Sequence, residues 1–329
     1  MTKTWLIYAL GGGWGHLTRA LSLARIAANQ RRVNIITNSP YAQHISNEGC
    51  LLYLIPACES FSVTCQQVRE ILSNTHYDCL IVDTFPRGLG GELADILPQL
   101  HNIPKILIHR DINPSYVKIK DLRPFVTENF DAVIVPGEGT DLPLGDLPEV
   151  IHTEPWLIRH AGELPDRKTA RSHILKVGDT RKIILVCAAG QASELPLFNQ
   201  LTLQLKQAFP ECAVRFLSPH CSDDELKTLW LSHHPGIECL AAADVVVGGA
   251  GYNTVYECTS IGVPLVALPL PRLYDRQLKR ASKINQVLNI PDVLLTVKKI
   301  LDTATDSPFR PNYTNGAIAA VYHIMNFEL

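Results

Sequence analysis

Residues 5–20 read WLIYALGGGWGHLTRA, an apolar run followed by four glycines in five positions and then by a histidine. An uninterrupted apolar run that ends in glycine is typical of a parallel strand covered by helices on both faces. Leu17, Leu21, Ala24 and Ala28 then recur at helical spacing. The stretch therefore predicts a strand, a glycine-rich turn and a helix, which together begin an α/β fold.

Similar apolar segments, most of them followed by helical patterns, recur along the chain and indicate βαβ units with parallel sheets. We predict strands at 5–10, 33–37, 51–55, 79–83, 105–109, 132–136, 182–188, 214–218, 245–248 and 265–268. We predict helices at 17–28, 91–100, 195–209 and 316–326. The expected fold is α/β, with two tandem Rossmann-like doubly wound domains.

The domain division follows from a break in this rhythm. Residues 137–165 are rich in proline and glycine and lack a period, which indicates an interdomain connection. We predict a first domain at 1–150, a linker at 151–165 and a second domain at 166–312. Residues 313–329 predict a final helix that could pack back on either domain, the first domain being one of the two alternatives. Open α/β sheets bind ligands at the carboxyl ends of their strands, so we expect both glycine-rich strand ends to face a central cleft.

Composition excludes several classes of protein. A net charge of −2 gives no support for nucleic-acid binding. The nine cysteines include no CxxC pair, and no His/Cys spacing suits zinc, so no metal site is expected. The odd cysteine count and the lack of a secretory signal favour a cytoplasmic protein, and no apolar run reaches membrane-spanning length. Peripheral contact with the inner face of a membrane stays open.

The first glycine loop does not fit the common phosphate-binding motifs. Counted from Gly11, the sixth position of a dinucleotide fingerprint is His16, and no carboxylate follows the second strand. No GxxxxGK[ST] sequence occurs. His16 is either a partly buried bystander of a tight turn or a general base that acts near neutral pH.

The second glycine loop follows the apolar strand of Val245–Val247 and reads GGAGYNTVYE at 248–257. A helix that begins after such a loop offers free backbone N–H groups to an anion such as pyrophosphate. Glu257 is either the partner in a capping box or the acceptor of hydrogen bonds from two ribose hydroxyls. Asp275 and Gln277 follow the next strand and would suit the hydroxyls of a sugar ring.

The stretch GYNTxxE, GVPL and DxQxxxA within 251–281 closely resembles the donor region of GT-B glycosyltransferases, above all the MurG-like group (family 28) and the UDP-glycosyltransferases. GGGWGHLTRA is similar to the MurG-like GGxxGH loop, and AAGQAS at 188–193 is similar to its GGSQGA turn. The chain departs from that group in having Gly249 and Arg280 where arginine and asparagine are usual, and in lacking the acceptor signature HEQN.

The resemblance implies an enzyme, a hexosyltransferase that inverts the anomeric centre and uses neither a metal ion nor a cofactor. Its partners would be a nucleotide-sugar donor, for which the resemblance favours a UDP-sugar, and an acceptor that carries a hydroxyl group. The catalytic base would be His16, or a carboxylate such as Asp83 or Asp111. The donor-binding residues would be Gly190, Gln191, Gly249, Gly251, Tyr252, Asn253, Thr254, Glu257, Asp275 and Gln277. The acceptor-side residues would be Gly12, Gly13, Gly15, Arg19, Arg87 and His109.

Two other kinds of function stay open. A nucleotide-sugar hydrolase or 2-epimerase could use the same fold and donor site, and so could a non-catalytic nucleotide-sugar-binding protein. The acceptor could be a lipid, a glycan or a small molecule. Arg87, in a glycine-rich loop, could hold an anionic acceptor or could simply be solvated.

Overall fold

The computed structural model describes residues 2–57, 59–139, 141–188, 190–221, 223–303 and 311–328, apart from the side chain of His44. The chain divides into two compact units. The first comprises Met1–Ile158, Leu273–Arg276 and Asn315–Leu329, and the second comprises Arg159–Arg272 and Gln277–Thr314. Each unit has its own parallel sheet and its own apolar core, so the prediction of two tandem α/β domains is confirmed.

The first unit contains a seven-stranded parallel sheet in the order β3-β2-β1-β4-β5-β6-β7. Its strands are β1 (Thr4–Tyr8), β2 (Arg32–Thr37), β3 (Leu51–Leu54), β4 (Cys79–Asp83), β5 (Lys105–Ile108), β6 (Ala132–Pro136) and β7 (Val150–Thr153). Its first helices are α1 (Gly15–Ala27), α2 (Phe61–Asn74), α3 (Pro114–Ile119) and α4 (Leu122–Asn129). The strand order reverses between β1 and β4, and ligands of such sheets bind beside this switch point.

The second unit contains a six-stranded parallel sheet in the order β10-β9-β8-β11-β12-β13. Its strands are β8 (Ile183–Cys187), β9 (Ala213–Leu217), β10 (Trp230–Leu231), β11 (Val245–Gly249), β12 (Leu265–Leu268) and β13 (Asn285–Gln286). Its helices are α5 (Arg167–Thr169), α6 (Leu195–Ala208), α7 (Ile237–Leu240), α8 (Tyr252–Ile261), α9 (Gln277–Ala281) and α10 (Ile290–Thr303). The order reverses between β8 and β11, the strands that precede two of the predicted donor motifs.

The last helix, α11 (Gly316–Asn326), belongs to the first unit and packs against α1 and β7. The Asn315 side chain accepts a hydrogen bond from the Ala317 N–H at 3.1 Å and so caps this helix. Gly316 is required here, because a Cβ at this position would lie 1.8 Å from the carbonyl oxygen of Glu154. The chain therefore passes too close to its own backbone for any larger residue.

The predicted linker at 151–165 differs from what the structure shows. Val150–Thr153 pairs with β6 as the edge strand of the first sheet, and Trp156, Leu157 and Ile158 are buried. The first unit thus ends eight residues later than the sequence predicted. Like β10 and β13, this strand is short and lies at a sheet edge, where the apolar signal is weak.

The helix predicted at 91–100 is wrong. The segment forms turns with a single 3-10 turn at Leu97–Gln99. Gly91 adopts a φ of +93°, and the Glu92 carboxylate is buried, where it accepts hydrogen bonds from the Gly90 N–H at 2.8 Å and from the Tyr8 hydroxyl. The hydrogen bonds of this buried carboxylate stabilise a loop where the sequence pattern indicated a helix.

Among the described residues, none of the helices combines the length and the apolar character that crossing a bilayer would need.

Candidate functional site

The first candidate site lies at the switch point of the first sheet. The β4 strand ends at Asp83, and α1 begins at Gly15, after the glycine loop that follows β1. The His16 Nδ1 lies 2.6 Å from the Asp83 Oδ2. The imidazole is only 16% exposed. Two of the three predicted catalytic residues are therefore in direct contact, although they are 67 residues apart in the chain.

Arg19, one turn further along α1, binds the same carboxylate. Its Nε and Nη2 donate to the Asp83 Oδ1 and Oδ2 at 2.8 and 2.7 Å. Burial alone would raise the pKa of Asp83, but the charge of Arg19 and the hydrogen bonds from His16 and Arg19 outweigh it and hold this pKa below its usual range. Asp83 is therefore ionised and can only accept hydrogen bonds.

The ionised carboxylate determines the protonation of His16. Because Asp83 can only accept, the His16 Nδ1 carries a proton and donates it, which leaves Nε2 as the acceptor in the neutral ring. Burial lowers the pKa of His16 below 6.5, although the neighbouring Asp83 opposes this shift. The imidazole is therefore mostly neutral at pH 7 and can accept a proton at Nε2.

Gly11 explains part of the glycine loop. Its φ is +155°, and a Cβ at this position would lie 2.2 Å from the His16 Cδ2 and 2.5 Å from Nε2. The missing side chain therefore gives the imidazole its space. On another side, the His16 ring stacks on Phe85 with centroids 5.5 Å apart.

The other loop glycines have different environments. Gly13 has a φ of +117°, a value that favours glycine, and its carbonyl oxygen accepts a hydrogen bond from the Ser39 hydroxyl at 3.0 Å. A Cβ at Gly12 or Gly15 would meet no atom within 4 Å. Within the described part of the chain, these two positions are therefore open to a side chain.

Three further predicted residues of the first unit are engaged with protein groups. Asp111 is buried and forms an ion pair with Arg276, whose Nε lies 2.7 Å from Oδ1. Arg87 packs over the Phe125 ring, with 4.0 Å between its Cζ and the ring centroid. His109 is fully buried, and its Nε2 lies against the Pro143 carbonyl oxygen. Burial lowers the pKa of His109 to about 4.

Asp275, a predicted sugar-binding residue, belongs to the first unit. Its Oδ1 accepts a hydrogen bond from the Arg110 Nη2 at 2.9 Å, and its backbone forms an antiparallel bridge with Ile112. Together with the ion pair between Asp111 and Arg276, two neighbouring Arg–Asp pairs connect the segment Leu273–Arg276 to the end of β5.

The second candidate site lies at the switch point of the second sheet, where β11 leads into α8. The N-cap residue of α8 is Gly251, which has no side chain to cap the helix. No described residue accepts a hydrogen bond from the backbone N–H of Asn253 or Thr254. With the helix dipole, these donors favour an anion at this position.

Glu257 lies in the second turn of α8 and is only 8% exposed. No described residue donates a hydrogen bond to its carboxylate or forms an ion pair with it. Burial raises the pKa of Glu257 to about 8. Burying a carboxyl group that has no hydrogen-bond partner among the described residues is costly to the folded state. Glu257 does not form the capping box that the sequence left open.

The remaining predicted donor residues surround the end of β11. Gln277 is buried, and its Oε1 accepts a hydrogen bond from the Leu270 N–H at 2.9 Å. Tyr252 is buried, with its ring centroid 4.7 Å from that of Tyr256. Gly249 is the last residue of β11, and a Cβ there would be 3.8 Å from the Leu270 Cδ1.

At the end of β8, Gln191 begins a short 3-10 turn, and its N–H donates to the Glu194 Oε2 at 3.1 Å. A Cβ at Gly190 would lie 2.0 Å from this same oxygen. Glu194 also forms an ion pair with Arg272, which follows β12. The two predicted residues are therefore adjacent to an ion pair that was not predicted.

Sequence reasoning missed three charged residues of the second site. Glu194 and Arg272 are 78 positions apart, and no local pattern connects them. Arg280 donates from Nη1 to the Ala250 carbonyl oxygen at 3.0 Å and supports the loop before α8. For Arg280 a signal did exist, because it replaces the asparagine that is usual in the resembled family.

Comparisons with known proteins agree with this architecture. Residues 226–304 match the family model of the glycosyltransferase family 28 C-terminal domain. A search of curated protein sequences found no match.

Solved structures similar over the whole chain include the glycotransferase of kitacinnamycin, with 15% identity, a TM-score of 0.63, and coverage of 100% of this chain and 96% of that one. SsfS6 from Streptomyces sp. SF2575, complexed with thymidine diphosphate, has 16% identity, a TM-score of 0.61, and coverage of 99% and 96%. UGT89C1 from Arabidopsis thaliana, complexed with quercetin, has 12% identity, a TM-score of 0.57, and coverage of 99% and 94%.

These likenesses confirm the resemblance to GT-B glycosyltransferases on which the prediction was based. They do not single out the MurG-like group. The chain has the α/β fold of GT-B glycosyltransferases, with a family 28 C-terminal match in its second unit.

Proposed function

We propose that this protein transfers a hexosyl group from a nucleotide-diphosphate sugar, with a UDP-sugar as donor, to a hydroxyl group of an acceptor. The transfer inverts the anomeric centre and requires no metal ion. The observation that carries the proposal is the contact between the His16 Nδ1 and the Asp83 Oδ2, at 2.6 Å. A carboxylate that fixes the histidine tautomer is a common device for positioning a general base.

The base is His16, and Asp83 is its positioning residue. Asp83 is completely buried and bound by Arg19 on both oxygens, which makes it a poor acceptor for a substrate proton. Asp111 is also engaged, because the Nε and Nη2 of Arg276 both donate to its Oδ1. Of the three candidate bases, only His16 offers a ring nitrogen that can accept a proton.

The donor is held in the second unit by α8. Its N-terminal N–H groups bind the diphosphate, and Glu257 accepts hydrogen bonds from two adjacent ribose hydroxyls. This assignment favours UDP over thymidine diphosphate, whose deoxyribose offers one hydroxyl fewer. Because thymidine diphosphate is bound in the SsfS6 structure, both nucleotides belong in the test.

In the reaction, the acceptor oxygen forms a bond to the anomeric carbon while the bond from that carbon to the diphosphate oxygen breaks. The acceptor proton goes to the His16 Nε2, and the electron pair of the broken bond remains on the diphosphate. The N–H groups of α8 stabilise this negative charge, the kind of preorganised stabilisation that contributes most in many enzymes.

The test is a transfer assay with UDP-glucose, UDP-GlcNAc and dTDP-glucose, in the presence of EDTA. Quercetin, the ligand of the Arabidopsis neighbour, is a first small-molecule acceptor, and a lipid and a glycan follow. His16→Ala should lower kcat by roughly 10²–10⁴-fold and leave donor affinity unchanged. His101→Ala, which removes an exposed histidine of the same unit, is the control.

The pH profile gives a second readout. The base works only when neutral, so kcat, measured with the donor at saturation, should fall as the pH drops through the pKa of His16, and this fall should occur below pH 6.5. Unchanged turnover in His16→Ala would exclude its role as base.

The other two functions give different results in the same assay. Rapid donor hydrolysis or epimerisation without an acceptor would identify a nucleotide-sugar hydrolase or 2-epimerase. Donor binding without turnover on any acceptor would identify a non-catalytic binding protein.

A further inference from the structure

An ion pair crosses the carboxyl edge of the second sheet. Glu194 lies after β8, Arg272 lies after β12, and their charged groups are in contact. In this sheet β11 lies between β8 and β12. The ion pair therefore spans the end of β11, from which Gly249–Gly251 leads into α8, the helix to which the proposed function assigns the diphosphate.

The surrounding residues are arranged to accommodate this pair. Gly190 has no side chain where a Cβ would lie 2.0 Å from the Glu194 Oε2 and 3.2 Å from the Arg272 Nη2. The Glu194 side chain is 11% exposed and that of Arg272 is 19% exposed. Arg272 also donates from Nη1 to the Pro271 carbonyl oxygen at 3.2 Å.

The two partners have unequal structural roles. Glu194 Oε2 accepts a hydrogen bond from the Gln191 N–H and so helps to form the short turn after β8. Among its described contacts, Arg272 binds Glu194 and the carbonyl oxygen of its own neighbour Pro271. Its planar guanidinium matches two phosphate oxygens at once, and a diphosphate carries more negative charge than one carboxylate.

We propose that Arg272 is a diphosphate-binding residue of the donor site, and that Glu194 holds its guanidinium at the end of β11 until a donor binds. The proposal rests on the proposed function, because it places the diphosphate at the beginning of α8. On binding, Arg272 exchanges the Glu194 carboxylate for phosphate oxygens. Glu194 remains bonded to the Gln191 N–H. The residue thus adds a positive side chain to a site otherwise built from backbone N–H groups.

The test is a binding titration of the full chain with UDP and, separately, with inorganic pyrophosphate. Arg272→Gln should weaken the binding of both by about tenfold, the effect of losing a hydrogen bond to a charged group. Arg272→Lys keeps the charge without the planar fork and should recover part of the affinity. Lys227→Gln, which removes an exposed positive charge from the same unit, is the matched control.

Glu194→Gln gives the second arm. A glutamine still accepts the hydrogen bond from Gln191 but no longer pairs with Arg272, so the variant should bind UDP up to about fivefold more tightly. The double variant should bind as Arg272→Gln does, because the carboxylate acts through the guanidinium. Melting temperatures of all variants establish that they are folded.

The outcomes separate this proposal from the function on which it rests. If Glu257→Gln loses UDP binding while Arg272→Gln binds as tightly as Lys227→Gln, the role of Arg272 is wrong and the donor site stands. If Arg272→Gln weakens binding but the benefit of Glu194→Gln persists in the double variant, Glu194 repels the diphosphate directly and the exchange is wrong. If the unchanged protein binds neither UDP nor pyrophosphate, both proposals fail.

Discussion

Asp83 in the first unit and Glu257 in the second are buried carboxyl groups, each close to the switch point of its sheet. Asp83 accepts hydrogen bonds from Arg19 and His16, and its pKa lies below the usual range. Glu257 receives no hydrogen bond from any described residue, and burial raises its pKa to about 8. Two similar groups at similar depth thus have opposite protonation states near neutral pH.

The difference indicates how each site relates to its ligand. The bonds of Asp83 are complete before any substrate arrives, so His16 is oriented in the free protein. Glu257 has no hydrogen-bond partner among the described residues, so its buried carboxyl group destabilises the second unit when it is ionised. Residues that bind ligands often carry such a cost in stability.

The largest expected effect is the loss of stability when Asp83 is replaced. Asp83→Asn leaves the buried Arg19 guanidinium without its counter-charge, and such losses cost about 3–5 kcal/mol in the free energy of unfolding. Urea unfolding measures this loss.

A double variant sharpens this result. Adding Arg19→Met to Asp83→Asn removes both charges and should recover much of the stability, although the histidine loses its positioning partner. If Asp83→Asn alone lowers the free energy of unfolding by less than about 1 kcal/mol, the buried guanidinium of Arg19 does not need the negative charge of Asp83.

Replacing Glu257 should have the opposite effect on stability from replacing Asp83. Burial raises the folded-state pKa of Glu257 from 4.5 to about 8, so between these pH values the folded protein holds a proton that the unfolded chain has lost. Stability then falls as the pH rises through this range. Glu257→Gln avoids this fall and should be more stable than the unchanged protein at pH 8, by an amount on the order of a few kcal/mol.

Thermal unfolding at pH 5 and pH 8 tests this prediction. The two proteins should differ little at pH 5 and diverge at pH 8. A variant that is less stable than the unchanged protein at both pH values would mean that Glu257 has a partner in the fold.

A smaller effect is expected from the glycine that faces His16. Gly11→Ala introduces a Cβ against the imidazole at a position with a φ of +155°, so the ring must move. We expect a loss of about 1–3 kcal/mol in stability, together with a lower kcat. Gly12→Ala is the matched control for stability, because its Cβ meets no atom within 4 Å. Equal melting temperatures for the two variants would contradict this account of the loop.

The comparison also shows what the sequence could and could not predict. The central strands β4, β6 and β12 were predicted with their observed bounds, because a strand buried on both faces is an uninterrupted apolar run. The edge strand β7 was placed in a linker, because an edge strand of four residues lacks that signal. The loop around Glu92 was predicted as a helix. Its buried carboxylate binds the hydroxyl of Tyr8, which is distant in sequence, so the local pattern could not reveal the loop.

In the sites, glycine-rich motifs identified His16 and Glu257 as candidates, and the order of the motifs along the chain supported the resemblance. The partners of these groups could not be predicted. Arg19 was assigned to the acceptor, whereas its guanidinium binds Asp83, 64 residues away. Glu194 and Arg272 meet because of the strand order of the second sheet, and that order cannot be derived from the sequence pattern alone.

The measurement that tests the central claim most directly is the affinity for a UDP-sugar from pH 6 to pH 9, in the unchanged protein and in Glu257→Gln. A UDP-sugar is suitable because its diphosphate has no proton that titrates in this range. If ribose hydroxyls bind the ionised carboxylate, the affinity of the unchanged protein should rise by up to about tenfold per pH unit and level off near pH 8. The affinity of Glu257→Gln should be weaker and independent of pH. Equal, pH-independent binding by both proteins would contradict the claim that Glu257 awaits a nucleotide sugar.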